Sequence, residues 1–380
     1  MPIIETRSLV AAMRVLLKGG LARYATKGVS EVTHLEQDLG EKIGSRWVLG
    51  VNSGTSGLIC ALVGVGIGPG DEVLVPAYTW VSSAAAVLAV GAVPVLVEID
   101  QSLTLDPVDL RRKITPYTKA IIPVHMLNLV CDMEAIQKVA AEHGLKIVED
   151  ACQAVGVTWR GQRCGSLGDA GVFSFQQNKN IQSGEGGAVF TNDERIYARA
   201  RMYHDVGSYI RSDRVKTDEP LFVGVNYRMP ELAAAILRPQ LKRLDRKLDL
   251  MRRRRSEVLE QLAKSKTFRF HVCPHHDASS AVGLAVYFDD IEMAKEFAKA
   301  TGVNRLIDTG RHVYTNWESL RGKVAQHPRL DPFAWANRPI DYPANSCPQT
   351  LDILERTCTI NLLPDLPSSA YRMAVKRMVR

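Results

Sequence analysis

The 380-residue chain has no run of about 20 consecutive apolar residues, the length a membrane-spanning helix requires. Its longest apolar stretches, Leu58 to Ile67 and Val81 to Val97, are broken by turn residues and by Pro94. The opening segment MPIIETRSLVAAMRVLLKGG is interrupted by Arg14 and has no small-residue cleavage site after an apolar core, so it is expected to form an amphipathic helix. No C-x-x-C spacing occurs either. The seven cysteines (Cys60, Cys131, Cys152, Cys164, Cys273, Cys347 and Cys358) are odd in number and scattered through apolar surroundings, as expected of reduced thiols in the cytoplasm. Cys273, His275 and His276 crowd too closely for a zinc spacing and no second ligand pair follows, so no metal is expected. With no internal repeat, low-complexity stretch, helix-turn-helix or zinc module, a solenoid and a nucleic-acid-binding module are excluded from the expectation.

What is present is an ordinary folded composition, 46% hydrophobic and 23% charged, in a chain long enough for one large domain and a smaller one. The net charge of +7 favours an anionic small-molecule partner only mildly. Its one dense basic run, Arg252 to Arg255, lies in a single long helical pattern starting near Pro230, with Asp245, Asp249 and Glu257 interleaved, and reads as a solvated helix face. From Trp47 to Thr191, short β-rich runs (WVLGV, EVLVPA, VPVLVEI, KAIIPVH, LKIVED) alternate with helical patterns, and AGVFSF and GGAVFT follow. Strands apolar throughout are covered on both faces, so this alternation predicts an α/β fold with a mostly parallel sheet between helices. Ligands of such sheets bind beyond the strands' carboxyl ends. After about residue 266 the pattern changes to FRFHV, SAVGLAVYF, a helix over IEMAKEFAKATG, CTINLL and a final helix over SSAYRMAVKRM. The expected division is a large domain over 1–245 and a small α+β domain over 246–380.

Three segments at predicted strand ends carry chemistry. Asn52-Ser53-Gly54-Thr55-Ser56-Gly57 opens a helix, where backbone N–H groups and the helix dipole favour an anion; alone, such a turn is more often a simple cap. Asp150 ends LKIVED with Gln153 three residues on, and a buried carboxylate there needs a cation such as a protonated ring nitrogen. Lys179 lies just past the apolar AGVFSF strand, in a loop whose Gly184, Gly186 and Gly187 allow close approach, a place where burial favours the nucleophilic amine. A phosphate cradle, a carboxylate and an amine are together the parts of a pyridoxal 5′-phosphate (PLP) site.

In the segments NSGTSGL, VPAYTWVSSA, IVEDACQAVG, GSLGDAGVFSFQQNKNIQSGEGGAVFTND and GVNYRMPELAAAIL, over residues 50 to 240, the chain resembles the DegT/DnrJ/EryC1/StrS aminotransferases. The resemblance implies the PLP-dependent transferase fold type I, with a smaller C-terminal α+β domain. It makes Lys179 the catalytic Schiff-base lysine and Asp150 the partner of the pyridine nitrogen. Trp80 would stack on the cofactor ring, Gly54, Thr55 and Ser174 would hold the phosphate, and Gln153 would sit beside the ring hydroxyl. Asn226 would reach the phosphate of a neighbouring subunit, which implies a homodimer with shared active sites. The implied reaction moves an amino group from L-glutamate or L-glutamine to a keto-sugar, keto-cyclitol or related carbonyl-bearing polyol.

The resemblance departs after Pro123-Val124-His125, where sugar-nucleotide members carry a glycine-containing turn and this chain reads Met126-Leu127-Asn128-Leu129. For His125 a core role and a substrate contact are both open. Arg311, His312 and Tyr314 form a candidate substrate loop, the competing reading being packed aromatics. Two other functions remain to be weighed: a dehydratase of the same fold, which would carry histidine in place of Lys179, and a non-catalytic PLP-binding regulator.

Overall fold

The computed structural model describes residues 5–24, 30–207, 217–265, 267–277, 281–362 and 366–377. Helices α1 (Thr6–Lys18) and α2 (Glu31–Ile43) precede an alternation of β1 (Trp47–Val51), α3 (Gly54–Val65), β2 (Glu72–Pro76), α4 (Ser82–Ala89), β3 (Val93–Val97), α5 (Pro107–Lys113), β4 (Thr118–Ile121), α6 (Met133–His143) and β5 (Lys146–Asp150). A small hairpin, β6 (Thr158–Trp159) and β7 (Gln162–Arg163), leads to β8 (Ala170–Ser174), β9 (Gly187–Thr191) and α7 (Glu194–His204). The expected strand-helix alternation is therefore present.

The seven strands β1-β9-β8-β5-β4-β2-β3 form one sheet in that order. Strand β9 alone runs against its neighbours: it pairs antiparallel with β1 and β8, while β8, β5, β4, β2 and β3 pair in parallel. β2 and β3 are buried at every position, as strands covered on both faces must be. Local signals set the helix ends: Ser30 caps α2 by accepting from Thr33 N, Asp132 caps α6 by accepting from Ala135 N, and left-handed Gly44 and Gly144 end the two helices. Because β1, β2, β4, β5 and β8 share one direction, the segments after them emerge at one edge, which is where the ligand groups gather.

Beyond α7 the single long helix expected from Pro230 is two helices, α8 (Glu231–Leu241) and α9 (Leu244–Leu262). Pro239 deprives α8 of an internal hydrogen bond, and Arg243 leaves helical backbone at φ −108°, ψ 0°. The break turns Leu244, Leu248 and Met251 into the core under the large sheet, while Val258 and Leu262 enter a second core. That second core lies against a four-stranded sheet, β10-β11-β13-β12 (His271–Val272, Ala285–Tyr287, Thr357–Thr359, Asn304–Arg305). Helices α10 (Ile291–Thr301), α11 (Glu318–Arg321), α12 (Pro348–Glu355) and α13 (Ser368–Arg377) complete the chain. The strand runs expected around FRFHV and SAVGLAVYF shrink to two and three residues, and position 280 lies outside the described residues.

The solvated reading of the basic run fails at Arg254. It is buried, donates to Glu257 and to Ser368 Oγ, and its guanidinium carbon lies 4.4 Å from the centroid of the Tyr371 ring. No described helix is long and apolar enough to cross a membrane, and no metal-binding group of histidine, cysteine and carboxylate occurs among the described residues.

Candidate active site

A cavity of about 870 Å³ opens at the carboxyl edge of the large sheet, lined by Gly54, Thr55, Trp80, Asp150, Gln153, Ser174, Lys179 and His312 among others. The two sheets share it, since Val282–Leu284 and Thr359–Leu362 form its far wall.

Its floor begins at the start of α3. Ser53 Oγ accepts from Ser56 N at 3.1 Å, and Gly57 N bonds to Ser53 O. The N–H groups of Gly54 and Thr55 have no partner among the described residues, so two donors and the helix dipole remain for an anion. Gly54 is dictated by space, because a Cβ there would stand 2.9 Å from both Cys152 Sγ and Ser174 Cβ. Thr55 Oγ1 donates to Ser82 Oγ at 2.8 Å.

Asp150, at the end of β5, is buried. Its Oδ2 accepts from Ser83 Oγ at 2.7 Å, and Oδ1 accepts from Cys152 N at 3.2 Å. No cation pairs with it among the described residues, an arrangement that leaves a buried carboxylate short of a positive partner. Burial, reinforced by the charge of Asp150, pushes the adjacent Cys152 thiol well above its ordinary range.

Lys179 is half-buried, on a turn closed by Lys179 N donating to Gln176 O at 2.9 Å. Its amine forms no ion pair among the described residues. Trp80 is 41% exposed, which places it on the cavity wall rather than in the core. The C-terminal third reaches this wall because Thr79 N donates to His312 O at 3.0 Å and Tyr78 bridges Val313. His312 then lies 5.1 Å from the Trp80 ring and 3.4 Å from Gln153 Nε2, and the Arg311 guanidinium stands 6.0 Å from Trp80. Burial, helped by the charge on Lys179, lowers the basicity of His312. Its Nδ1 lies 3.1 Å from the carbonyl of Thr309, which only the N–H form can satisfy, so Nε2 is the acceptor facing Gln153.

Four of the sequence-derived site residues do not line this cavity: Arg311, which stands exposed over Trp80, and three others. His125 is fully buried between Glu149 Oε2, 3.0 Å from its Nε2, and the N–H of Cys131, 3.2 Å from its Nδ1, so the substrate-contact expectation is corrected to a satisfied core histidine. Tyr314 is likewise buried, donating to Ala344 O at 2.6 Å and accepting from Cys347 N, and leaves the substrate list for the same reason. Asn226 is exposed and turns its Oδ1 back to Arg228 N at 3.2 Å. Sequence reasoning missed Ser83, Cys152, Asn128 and Asn180. Hydroxyls, thiols and amides carry no spacing signature, and they are found only when the fold places them.

The model of the DegT/DnrJ/EryC1/StrS aminotransferase family matches residues 10–378. The chain belongs to that family. The GDP-perosamine synthase of Caulobacter vibrioides is 44% identical to this family member over 218 residues, 57% of this chain and 58% of the relative. An L-glutamine:2-deoxy-scyllo-inosose aminotransferase of Streptoalloteichus tenebrarius is 42% identical over 226 residues, 57% of this chain and 53% of the relative. The matches thus span little more than half the length of these curated relatives. Among solved structures, S. venezuelae DesV, in complex with a ketimine intermediate, is 31% identical with a TM-score of 0.76, covering 97% of this chain and 92% of that one. The family member therefore has the fold of PLP-dependent transferases of type I.

Proposed function

We propose that the protein is a PLP-dependent aminotransferase that carries an amino group from L-glutamate or L-glutamine to a keto-sugar, keto-cyclitol or similar carbonyl-bearing polyol. The observation that carries this reading is the meeting, in one cavity, of the Lys179 amine, the buried Asp150 carboxylate without a cation, and the free N–H groups at the start of α3. These residues fit the cofactor: Gly54, Thr55 and Ser174 suit its phosphate, Trp80 a flat ring, and Asp150 a protonated pyridine nitrogen.

When bound, PLP supplies a carbonyl that condenses with amines and a ring that accepts electrons from the substrate carbon. The chain supplies the rest. Asp150 keeps a proton on the ring nitrogen by offering it a buried anion. Nζ of Lys179 takes the proton from the carbon bearing the donor's amino group and returns a proton on the far side of the transfer. Gln153 and the neutral, acceptor-bearing His312 orient polar groups beside the ring. Arg311, exposed over Trp80, is the candidate contact for the acceptor.

The same reading makes the protein a homodimer in which the exposed Asn226 completes the cavity of its partner, beside the exposed Leu221, Val223 and Val225. Seven unpaired cysteines agree with a cytoplasmic setting. The test is the visible absorption of the protein mixed with PLP, before and after L-glutamate or L-glutamine, beside Lys179→Ala. Loss of the lysine-bound band on adding a donor, and its absence from the variant, supports the reading. No such band in the parent overturns it.

A further inference from the structure

The departure after Pro123-Val124-His125 has a structural counterpart. Leu127 and Asn128, where the resemblance leads one to expect glycine, take φ of 55° and 60°. The left-handed region costs a side-chain-bearing residue free energy, asparagine less than leucine, and two such residues in succession persist only when their surroundings over-determine them.

Here the surroundings do so from three directions. The base of the turn is closed by His125, whose Nδ1 accepts from Cys131 N and whose Nε2 meets Glu149, which also receives the N–H groups of Gly165, Leu167 and Gly168. On the cavity side, Leu127 N donates to Gln153 Oε1 at 3.2 Å and Asn128 N to Gln153 O at 3.0 Å. From the far wall of the cavity, the segment through Gly283 presses so closely that a Cβ there would stand 2.1 Å from Leu127 O. The strained backbone delivers one side chain. Asn128 Oδ1 accepts from Asn180 Nδ2 at 2.8 Å, and the same Nδ2 donates to Val155 O at 2.9 Å. With both amide hydrogens engaged, Asn180 is fixed, and it is the residue after Lys179.

We propose that Asn128 is a positioning residue for Lys179, acting through Asn180 to hold the C-terminal side of the lysine turn so that the amine enters the cavity at one angle. The N-terminal side is already held by Lys179 N on Gln176 O. Glycine at 128 would suit the backbone better but would release Asn180. The proposal rests on Lys179 being the reacting amine.

The test uses the full-length protein and four variants: Asn128→Gly, Asn128→Asp, Asn180→Ala and the double Asn128→Gly/Asn180→Ala. One readout needs no cofactor, namely the rate at which an acylating reagent labels Lys179 across a pH series, followed by peptide mass spectrometry. The other is kcat and KM for the amino donor. Asn128→Gly is expected to shift the labelling profile of Lys179 and to lower kcat on the order of tenfold, as a misplaced reactive group does, with KM nearly unchanged. Asn128→Asp keeps an acceptor oxygen and a tolerance for left-handed backbone, and recovers most of the loss. The double variant should be no worse than Asn180→Ala, because residues acting through one bond are not additive. Unchanged labelling and kcat in Asn128→Gly, or losses that multiply in the double variant, overturn the proposal. Borohydride reduction of the PLP-loaded parent separates the two readings: a pyridoxyl group fixed anywhere but Lys179 overturns the proposed function, whereas a shifted Lys179 labelling profile in Asn128→Gly still supports the hold on that turn.

Discussion

Ser83 gives its hydroxyl hydrogen to Asp150 Oδ2 at 2.7 Å, and Thr79 Oγ1, 2.7 Å away, fills the acceptor side of the same hydroxyl. All three residues are buried. A carboxylate so placed is fixed in orientation, and the contributions of its charge and of its orientation separate by mutation.

Asp150→Asn removes the charge and keeps the shape. Turnover is expected to fall on the order of 100- to 1,000-fold, the range for losing a preorganised electrostatic contact. Ser83→Ala keeps the charge in place and removes one charge-assisted hydrogen bond, a loss of about 1.5–3 kcal/mol borne by folding stability and not by the ring. Steady-state kinetics of the two variants should rank Asp150→Asn as the far greater loss. Equal losses would mean that Asp150 serves the fold and not the ring.

What could be read in the sequence was local. NSGTSGL and IVED sit where strand, turn and helix follow one another within a few residues, so the chemistry and its placement are written in the same segment. His312 is different, because it comes from the C-terminal third and reaches Trp80 only through the bond from Thr79 N to its own carbonyl. Arg254 misled because charge was weighed without helical phase. Met251, Arg254, Val258 and Leu262 fall on the buried side of α9, and only the partners Glu257, Ser368 and Tyr371 make a cation tolerable there. His125 and Tyr314 misled for a related reason: polar side chains beside motifs look available until the fold shows their partners.

Gly54→Ala should weaken cofactor binding. The added methyl meets Cys152 Sγ and Ser174 Cβ at 2.9 Å, so the start of α3 must shift, at a cost of about 1–3 kcal/mol for overpacking. Gly68 has nothing within 4 Å of its would-be Cβ, and Gly68→Ala serves as the control. A titration of PLP into each variant, followed by absorbance, should give a raised Kd for the first alone.

Asn226 and Lys179 belong to different cavities if the site is shared between protomers. Lys179→Ala and Asn226→Asp are each expected to be nearly inactive. Co-expressed, they form mixed dimers with one intact cavity, and random pairing restores roughly a quarter of the parental activity. An activity that stays at the level of the single variants would mean that Asn226 does not complete the cavity of the partner's Lys179.

Stability should fall as the pH drops below neutrality, and His204 shows why. The ring is fully buried, its Nδ1 lies 2.6 Å from the carbonyl of Arg201, and Nε2 has no hydrogen-bond partner among the described residues. Burial, followed by the charge of Arg23, lowers its pKa from 6.5 to about 3. Between those values the unfolded chain binds a proton that the folded chain refuses, so the folded state loses stability as the pH falls through this window and keeps all of it above about 6.5. By pH 5 the loss from this ring is about 2 kcal/mol. His275, lowered to about 4 mainly by burial, adds to the slope in the same direction. His204→Asn offers an amide N–H to the Arg201 carbonyl without a titrating group. Denaturant unfolding at pH 7.5 and pH 5 should therefore show a smaller difference for the variant than for the parent, even if the variant is less stable at both. An identical difference would assign the acid sensitivity to the other buried groups.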